Sequence, residues 1–363
     1  MVKRTWRWMV GAAASLAVAA AVTLTGAAPA QAAVADVWAF AYLDNATPPA
    51  NFVMDTTRQS GTFRTPCPND WATVTSPSVG VYRVVFPCSA AYGGIVHVTA
   101  VDSAGNFCEA GRWLPNGRNQ LVYVFCFDAA GAAAYTRFTV LFTTSSGTVT
   151  SGAHAYAFVD PTGTAATSFN SNAGAVTTSK IGTGAYVVRL SGVAPSTYIG
   201  NLQATAVQPG VTPRRCRVAD LDHRKPDYLV YVTCTDAAGI NSDSYFTLSF
   251  HHKRAVFGSL APPYNMGYVL AGPPWPDTNY NSVTGPNVVT AFAPGQWDVT
   301  LPQVATGATH MQVTAYGGPA AYCQLSDVWT TVGTDIFAHT VACFGPGGTP
   351  VTNQFFATYS SDS

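Results

Sequence analysis

Eight cysteines and seven histidines are the residues of this chain best equipped for chemistry. The cysteines are Cys67, Cys88, Cys108, Cys126, Cys216, Cys234, Cys323 and Cys343, and no two stand as C-x-x-C. That close spacing is what a redox dithiol or a zinc knuckle needs, so neither is supported. An even count in an exported chain reads instead as four disulfides. The histidines are His97, His154, His223, His251, His252, His310 and His339. None forms the His-x-x-x-His spacing, with a Glu, that zinc proteases place on a helix. His251 and His252 are adjacent, and neighbours on a strand point to opposite faces. Beside Lys253 and Arg254 they read as a solvated linker rather than an ion site. Serine hydrolases and glycosidases fare no better. The chain has no Gly-x-Ser-x-Gly, only one glutamate, Glu109, and no recurring pair of aspartates. No catalytic residue, metal or cofactor is expected.

The elements that would position these residues announce themselves by repetition. Cys108/Cys126, Cys216/Cys234 and Cys323/Cys343 recur at steps of 107 to 109 residues. Other text recurs with them. Gly80-Val81-Tyr82-Arg83-Val84 matches Gly184-Ala185-Tyr186-Val187-Val188 and Gly295-Gln296-Trp297-Asp298-Val299. Val96-His97-Val98-Thr99-Ala100 matches Leu202-Gln203-Ala204-Thr205-Ala206 and Met311-Gln312-Val313-Thr314-Ala315. Alternation at period two, broken by Gly, Pro, Asn and Asp, predicts short strands and no helix. The expected fold is all-β: three tandem small β-sandwich or barrel-like domains, each with a hairpin disulfide. Boundaries fall at 33–147, 148–258 and 259–363, with short linkers, so the domains are expected as an array whose neighbours touch. Tyr82, Tyr186 and Trp297 are expected in cores. His97, opposite Gln203 and Gln312 in the repeat, is expected to face solvent.

The cysteine spacing carries geometry. Midpoints at Gly117, Lys225 and Gly333 sit in turn-like text, so each pair should face across a long hairpin. Cys67–Cys88 then remains as an extra bridge in the first copy. Cys126-Phe127-Asp128-Ala129-Ala130-Gly131 and Cys234-Thr235-Asp236-Ala237-Ala238-Gly239 suit a type I turn. The third copy has Gly345-Pro346-Gly347 and no Asp, which argues against a calcium loop.

Residues 1–32 read as a signal peptide: Lys3, Arg4 and Arg7, the apolar run Val10 to Leu24, then Ala30-Gln31-Ala32 for cleavage. The mature chain is expected to be extracellular and not inserted in a membrane. Losing three cations leaves 15 Lys+Arg of 18 against 18 Asp+Glu, which is no nucleic-acid footprint. Only 10% of residues are charged, so hydroxyls, amides and backbone must carry solubility.

The shared elements (Gly-x-Tyr-x-Val, x-Val-Thr-Ala, Cys-x-Asp-x-x-Gly and a closing Phe strand) resemble secreted tandem-repeat β-domain proteins of high-GC Gram-positive bacteria. The resemblance spans nearly all the mature chain; it implies export and a β fold and brings no catalytic residues. Trp113 and Trp329, near the tips of their cysteine hairpins, are the candidate ligand-binding residues. The expected function is a non-catalytic binding or cell-surface protein, whose partners are polysaccharide, cell envelope or an extracellular protein. A structural or assembly protein of the extracellular matrix is the alternative, and a secreted hydrolase the third choice.

Overall fold

Period-two text becomes strand throughout. The computed structural model describes residues 36–144, 151–195, 200–260, 263–271 and 278–363. Among them the only helical turns are two 3-10 segments, Thr62–Arg64 and Pro346–Gly348. The leader text, the middle of the first linker and Trp275 lie outside the described residues.

Each repeat supplies two half-sheets. One holds an opening strand (Trp38–Leu43, Ala153–Val159 or Met266–Ala271), a closing strand (Arg137–Thr143, Tyr245–His252 or Gln354–Ser361) and an axial strand (Ile95–Val101, Asn201–Val207 or Thr309–Tyr316), paired antiparallel in that order. The other holds the cysteine hairpin and the Gly-x-aromatic-x-Val strand (Val81–Phe86, Ala185–Leu190 or Gln296–Leu301). The half-sheets face each other as a sandwich. In the first repeat Ala39, Ala41, Val96, Val98 and Val140 pack against Tyr82, Val84, Val122 and Val124. Tyr82, Tyr186 and Trp297 are buried in their respective cores, as expected. The Tyr82 hydroxyl donates to Ala46 O (2.7 Å) and accepts from Thr136 N (2.9 Å), so a buried phenol keeps both its bonds. Among the described residues no sheet closes into a barrel; the domains are sandwiches.

The hairpin geometry follows from the spacing. The strands turn on two-residue loops at 117–118, 225–226 and 333–334. Cys108, Cys216 and Cys323 stand directly opposite Cys126, Cys234 and Cys343, with Cα atoms 4.1, 4.1 and 4.0 Å apart. Cys67–Cys88 is the fourth bridge and no cysteine is free.

The arrangement of the repeats departs from an open array. Ala35–Ser363 form one compact unit, and every sheet is built from two repeats. The axial strand of each repeat runs parallel to the first cysteine strand of the preceding one, and the first repeat joins the third in the same way. Equivalent hydrogen bonds make the three junctions: Gln208 N to Ala110 O (2.9 Å), Gly317 N to Val218 O (2.9 Å) and Asp102 N to Leu325 O (2.8 Å). The chain therefore closes into a ring about a pseudo-threefold axis.

The axial strands line that axis, and nearly every residue in them is buried on both faces. His97 is fully buried there, so the expectation of a solvent-facing position is corrected. The alternation was read correctly, but its polar face meets the other repeats instead of water. Thr99 Oγ1 donates to Gln312 Oε1 (2.6 Å) and accepts from Val313 N (3.0 Å). Thr314 Oγ1 donates to Gln203 Oε1 (2.9 Å) and accepts from Ala204 N (3.1 Å). Thr205 Oγ1 accepts from Val98 N (3.3 Å) and lies 3.0 Å from His97 Nδ1. The result is a cyclic set of bonds, each repeat serving the next, with no axial threonine left over.

The Asp-x-x-Gly turns also meet around the axis, and this explains their small residues. Gly131 has φ +91°, and a Cβ there would come within 2.7 Å of Ala237 Cβ. A Cβ on Gly239 would meet Pro346, and one on Gly348 would meet Ala129. Asp128 Oδ1 accepts from Ala130 N and Ala132 N, 2.9 Å each, so its carboxylate shapes the turn.

Thr99→Val keeps the volume and removes the hydroxyl, leaving Val313 N and Gln312 Oε1 without their buried partner. Urea unfolding should show a loss of about 1–3 kcal/mol. Thr99→Ser should retain most of the stability; equal values for both variants would show that the ring contributes nothing.

Candidate functional site

The imidazoles come first, because histidine is the residue type most often used for proton transfer at neutral pH. Four of the seven are fully buried: His97, His154, His251 and His310. His251 and His252 do not form a solvated linker. They end the closing strand of the second repeat, where His251 Nε2 lies 3.0 Å from Thr358 Oγ1 in the third. The linker expectation failed because that strand is longer than its alternation, and the third repeat covers its end. His97 Nε2 lies 2.8 Å from Ser249 Oγ. Gln312 Nε2 stands 3.1 Å from His310 Nε2, so this nitrogen accepts and His310 Nδ1 donates to Thr139 Oγ1 at 2.9 Å. Burial holds His97, His154 and His310 down to about 3 and His251 well below the usual imidazole range. All four are held neutral, and His97, His251 and His310 bridge repeats, whereas His154 packs against Tyr156 and Phe169 of its own. His223 and His339 lie on the cysteine hairpins, away from this set.

Among the described residues the carboxylates and thiols offer no reacting pair. Glu109 is buried; one carboxyl oxygen accepts from Arg214 N (2.8 Å) and burial raises its pKa well above the carboxylate range. Among the described residues the one metal-like grouping is Cys67, Asp70 and Cys88. Its two sulfurs are joined to each other, so no thiolate remains to bind an ion.

The aromatics give the clearest site, and the pseudo-symmetry shows why. At each seam a cysteine-hairpin residue meets the opening strand of the next repeat. Leu221 and Leu270 share one apolar cluster at the second seam. At the seam from third to first repeat, Trp329 stands 5.7 Å from the Tyr42 ring. Trp329 is only 1% exposed. Its Nε1 donates to Thr309 Oγ1 (2.9 Å), while Arg58 Nη2 donates to Trp329 O (2.9 Å) and the guanidinium lies 5.6 Å over the ring. Trp329 was expected near an exposed tip. The hairpin strand breaks between Leu325 and Thr330, and the break tucks the indole into the core of the third repeat.

The seam between first and second repeats stays open. Trp113 is half-buried, and its Nε1 donates to Gly93 O at 2.8 Å, which fixes the indole. Its ring meets Phe158 edge-on at 4.8 Å, and Phe158 stacks on Tyr245 at 5.9 Å. These three rings, with Val207 and Pro209, line a cavity of about 380 Å³. That is within the range of small-molecule sites. Gly93, Gly111 and Ala166 complete its wall, and Arg112 and Thr167 supply polar groups. Arg112 is held 4.8 Å over the Tyr123 ring. No carboxylate or imidazole lines this cavity. The arrangement can hold a ring against aromatic faces and offers no acid–base pair for cleaving one. A second cavity, of about 320 Å³, lies beside Lys253, Tyr268 and Tyr280. The amides of Asn279 and Asn281 beside it are spent on Asn287 and Pro302.

Of the two tryptophans singled out by sequence, the structure brings Trp113 to a cavity and takes Trp329 out of reach. Phe158 and Tyr245 were missed because each reads as an ordinary strand aromatic. The available signal was positional: Phe158 is equivalent to Tyr42 and Leu270, the partners of Trp329 and Leu221.

Four disulfides fit an oxidising compartment, and among the described residues no helix is long and apolar enough to cross a membrane. No protein-family model matches the chain, and no curated protein matches it.

The buried histidines set a pH dependence. The unfolded chain takes up protons near pH 6.5, whereas folded His97 resists until about 3. Its contribution to stability is therefore complete above about pH 6.5 and is lost as pH falls toward 3. Asp36, raised to about 6 by burial, acts in the opposite direction between its two values. His97→Gln copies the other two repeats and removes one titrating group. Its unfolding free energy should lose up to about 1.4 kcal/mol per pH unit less than wild type between pH 6 and pH 4. Parallel pH curves for the two proteins would mean that His97 is not held neutral.

Proposed function

We propose that this protein is secreted and non-catalytic, and that it binds a ring-bearing ligand, a sugar unit of an envelope polysaccharide, in the seam cavity beside Trp113. The observation that carries this reading is the broken symmetry. Of the near-equivalent seam residues, Trp329 is buried and Leu221 packs against the core of the second repeat, whereas Trp113 lines a cavity with three aromatic faces around it. Sugar rings present C–H faces that stack on indole and phenol, while Arg112 and Thr167 can hydrogen-bond ring hydroxyls. The signal-like leader and the four disulfides support export.

A second reading, self-assembly outside the cell, has one observation in its favour. Val288–Ala293 ends its sheet as an edge strand with no charge and no proline, and Val288 and Phe292 are about half exposed. Such an edge is unprotected against pairing with another strand. Sedimentation across a concentration series separates the readings: growth of large species by a protein that retains no polysaccharide favours assembly.

The binding test is a pull-down of the oxidised mature chain with insoluble polysaccharides and cell walls. Trp113→Ala should weaken retention tenfold or more, about 1.4 kcal/mol, with little change in unfolding. Trp329→Ala should instead cost about 3–5 kcal/mol of stability. Absence of wild-type retention on every polymer would sink the polysaccharide reading.

A further inference from the structure

The residue before the first cysteine of each hairpin is Phe107, Arg215 or Tyr322, and these three equivalent positions meet at the pseudo-threefold axis. The Arg215 guanidinium carbon lies 4.8 Å from the Phe107 ring centre and 4.3 Å from that of Tyr322. The rings themselves stand 5.7 Å apart, edge to face. Arg215 is 7% exposed. Its Nη2 donates to Asp236 O (3.2 Å) and Ala237 O. Its Nε and Nη1 are buried donors without a partner. The Tyr322 hydroxyl donates to Gly105 O (2.7 Å), and the Arg215 guanidinium lies over its ring.

Arg215 also lines a cavity of about 50 Å³ on the axis. Its walls include Cys108, Cys216 and Cys323, one from each repeat, together with Arg214 and Gln324. Two arginines line it and no carboxylate does. Glu109 follows Cys108 in the chain, but one of its oxygens is spent on Arg214 N, and burial favours its neutral form. A buried cation is costly unless charge and hydrogen bonds compensate it. The two aromatic faces offset part of that cost and satisfy none of the free N–H groups. A single water needs roughly 10–15 Å³ on this scale, so the cavity has room for more than one.

We propose that the axial cavity is an internal binding site for one small inorganic anion of chloride size, with the Arg215 guanidinium as its charge partner. The anion would neutralise the charge that the three-way closure buries, and so would lock the repeats together. This site is separate from the seam cavity and does not depend on what the seam binds.

The test uses bromide, which has chloride's charge and an anomalous signal, on the intact mature chain. Crystals grown in sodium bromide should show an anomalous peak beside Arg215. In solution, replacing sodium gluconate by sodium bromide at constant ionic strength should raise the melting temperature saturably, by about 2–4 °C. Gluconate is too large for the cavity and serves as the blank. Arg215→Met should lose both responses. If that variant does not fold, the wild-type measurements decide alone. Water in the cavity with bromide peaks only on surface cations, and equal melting in the two salts, would overturn the proposal.

Discussion

The three-way contact of the axial strands is the constraint on which the rest of the structure depends. Those strands bury both faces, so their polar side must find partners inside the protein. Thr99, Thr205 and Thr314 find them on a neighbouring repeat, and the parallel backbone junctions add one bond at each seam. In an open array the repeats at the two ends would leave such groups unpaired. Closing the ring removes the ends, and the first and third repeats then share a sheet although they are far apart in sequence.

Once the frame is symmetric, departures from symmetry become informative. Position 97 is histidine where the other copies have glutamine, and it still bonds across the axis. Equivalent positions hold Phe107, Arg215 and Tyr322, and the guanidinium lies over both rings. Trp113 and Trp329 are near-equivalents with opposite fates. Arg58 and the core of the third repeat close over Trp329, while Trp113 keeps a cavity beside it.

The interior is polar for an all-β protein with so few charges, and it is kept neutral. Four imidazoles are buried uncharged, three of them between repeats. Glu109 is raised by burial, and Arg215 and Arg254 are the cations buried inside. Low surface charge and a charge-poor core have the same origin in composition, because hydroxyls and amides fill the positions that ion pairs occupy elsewhere.

The sequence by itself determined the strands, the three copies, the hairpin turns and the cysteine pairing. Each of these is local or periodic: alternation selects strand, and residues equidistant from a turn must face each other. It also placed Tyr82, Tyr186 and Trp297 inside, since β-bulky residues at equivalent strand positions pack alike. Only the tertiary structure decided what the second face of the axial strands meets. A polar residue at period two looks the same whether it faces water or a neighbour's threonine, so His97 and His251 were misplaced. The seam cavity and the Arg215 stack were equally illegible, because their residues are brought together from different repeats by the ring closure and by nothing local in the chain.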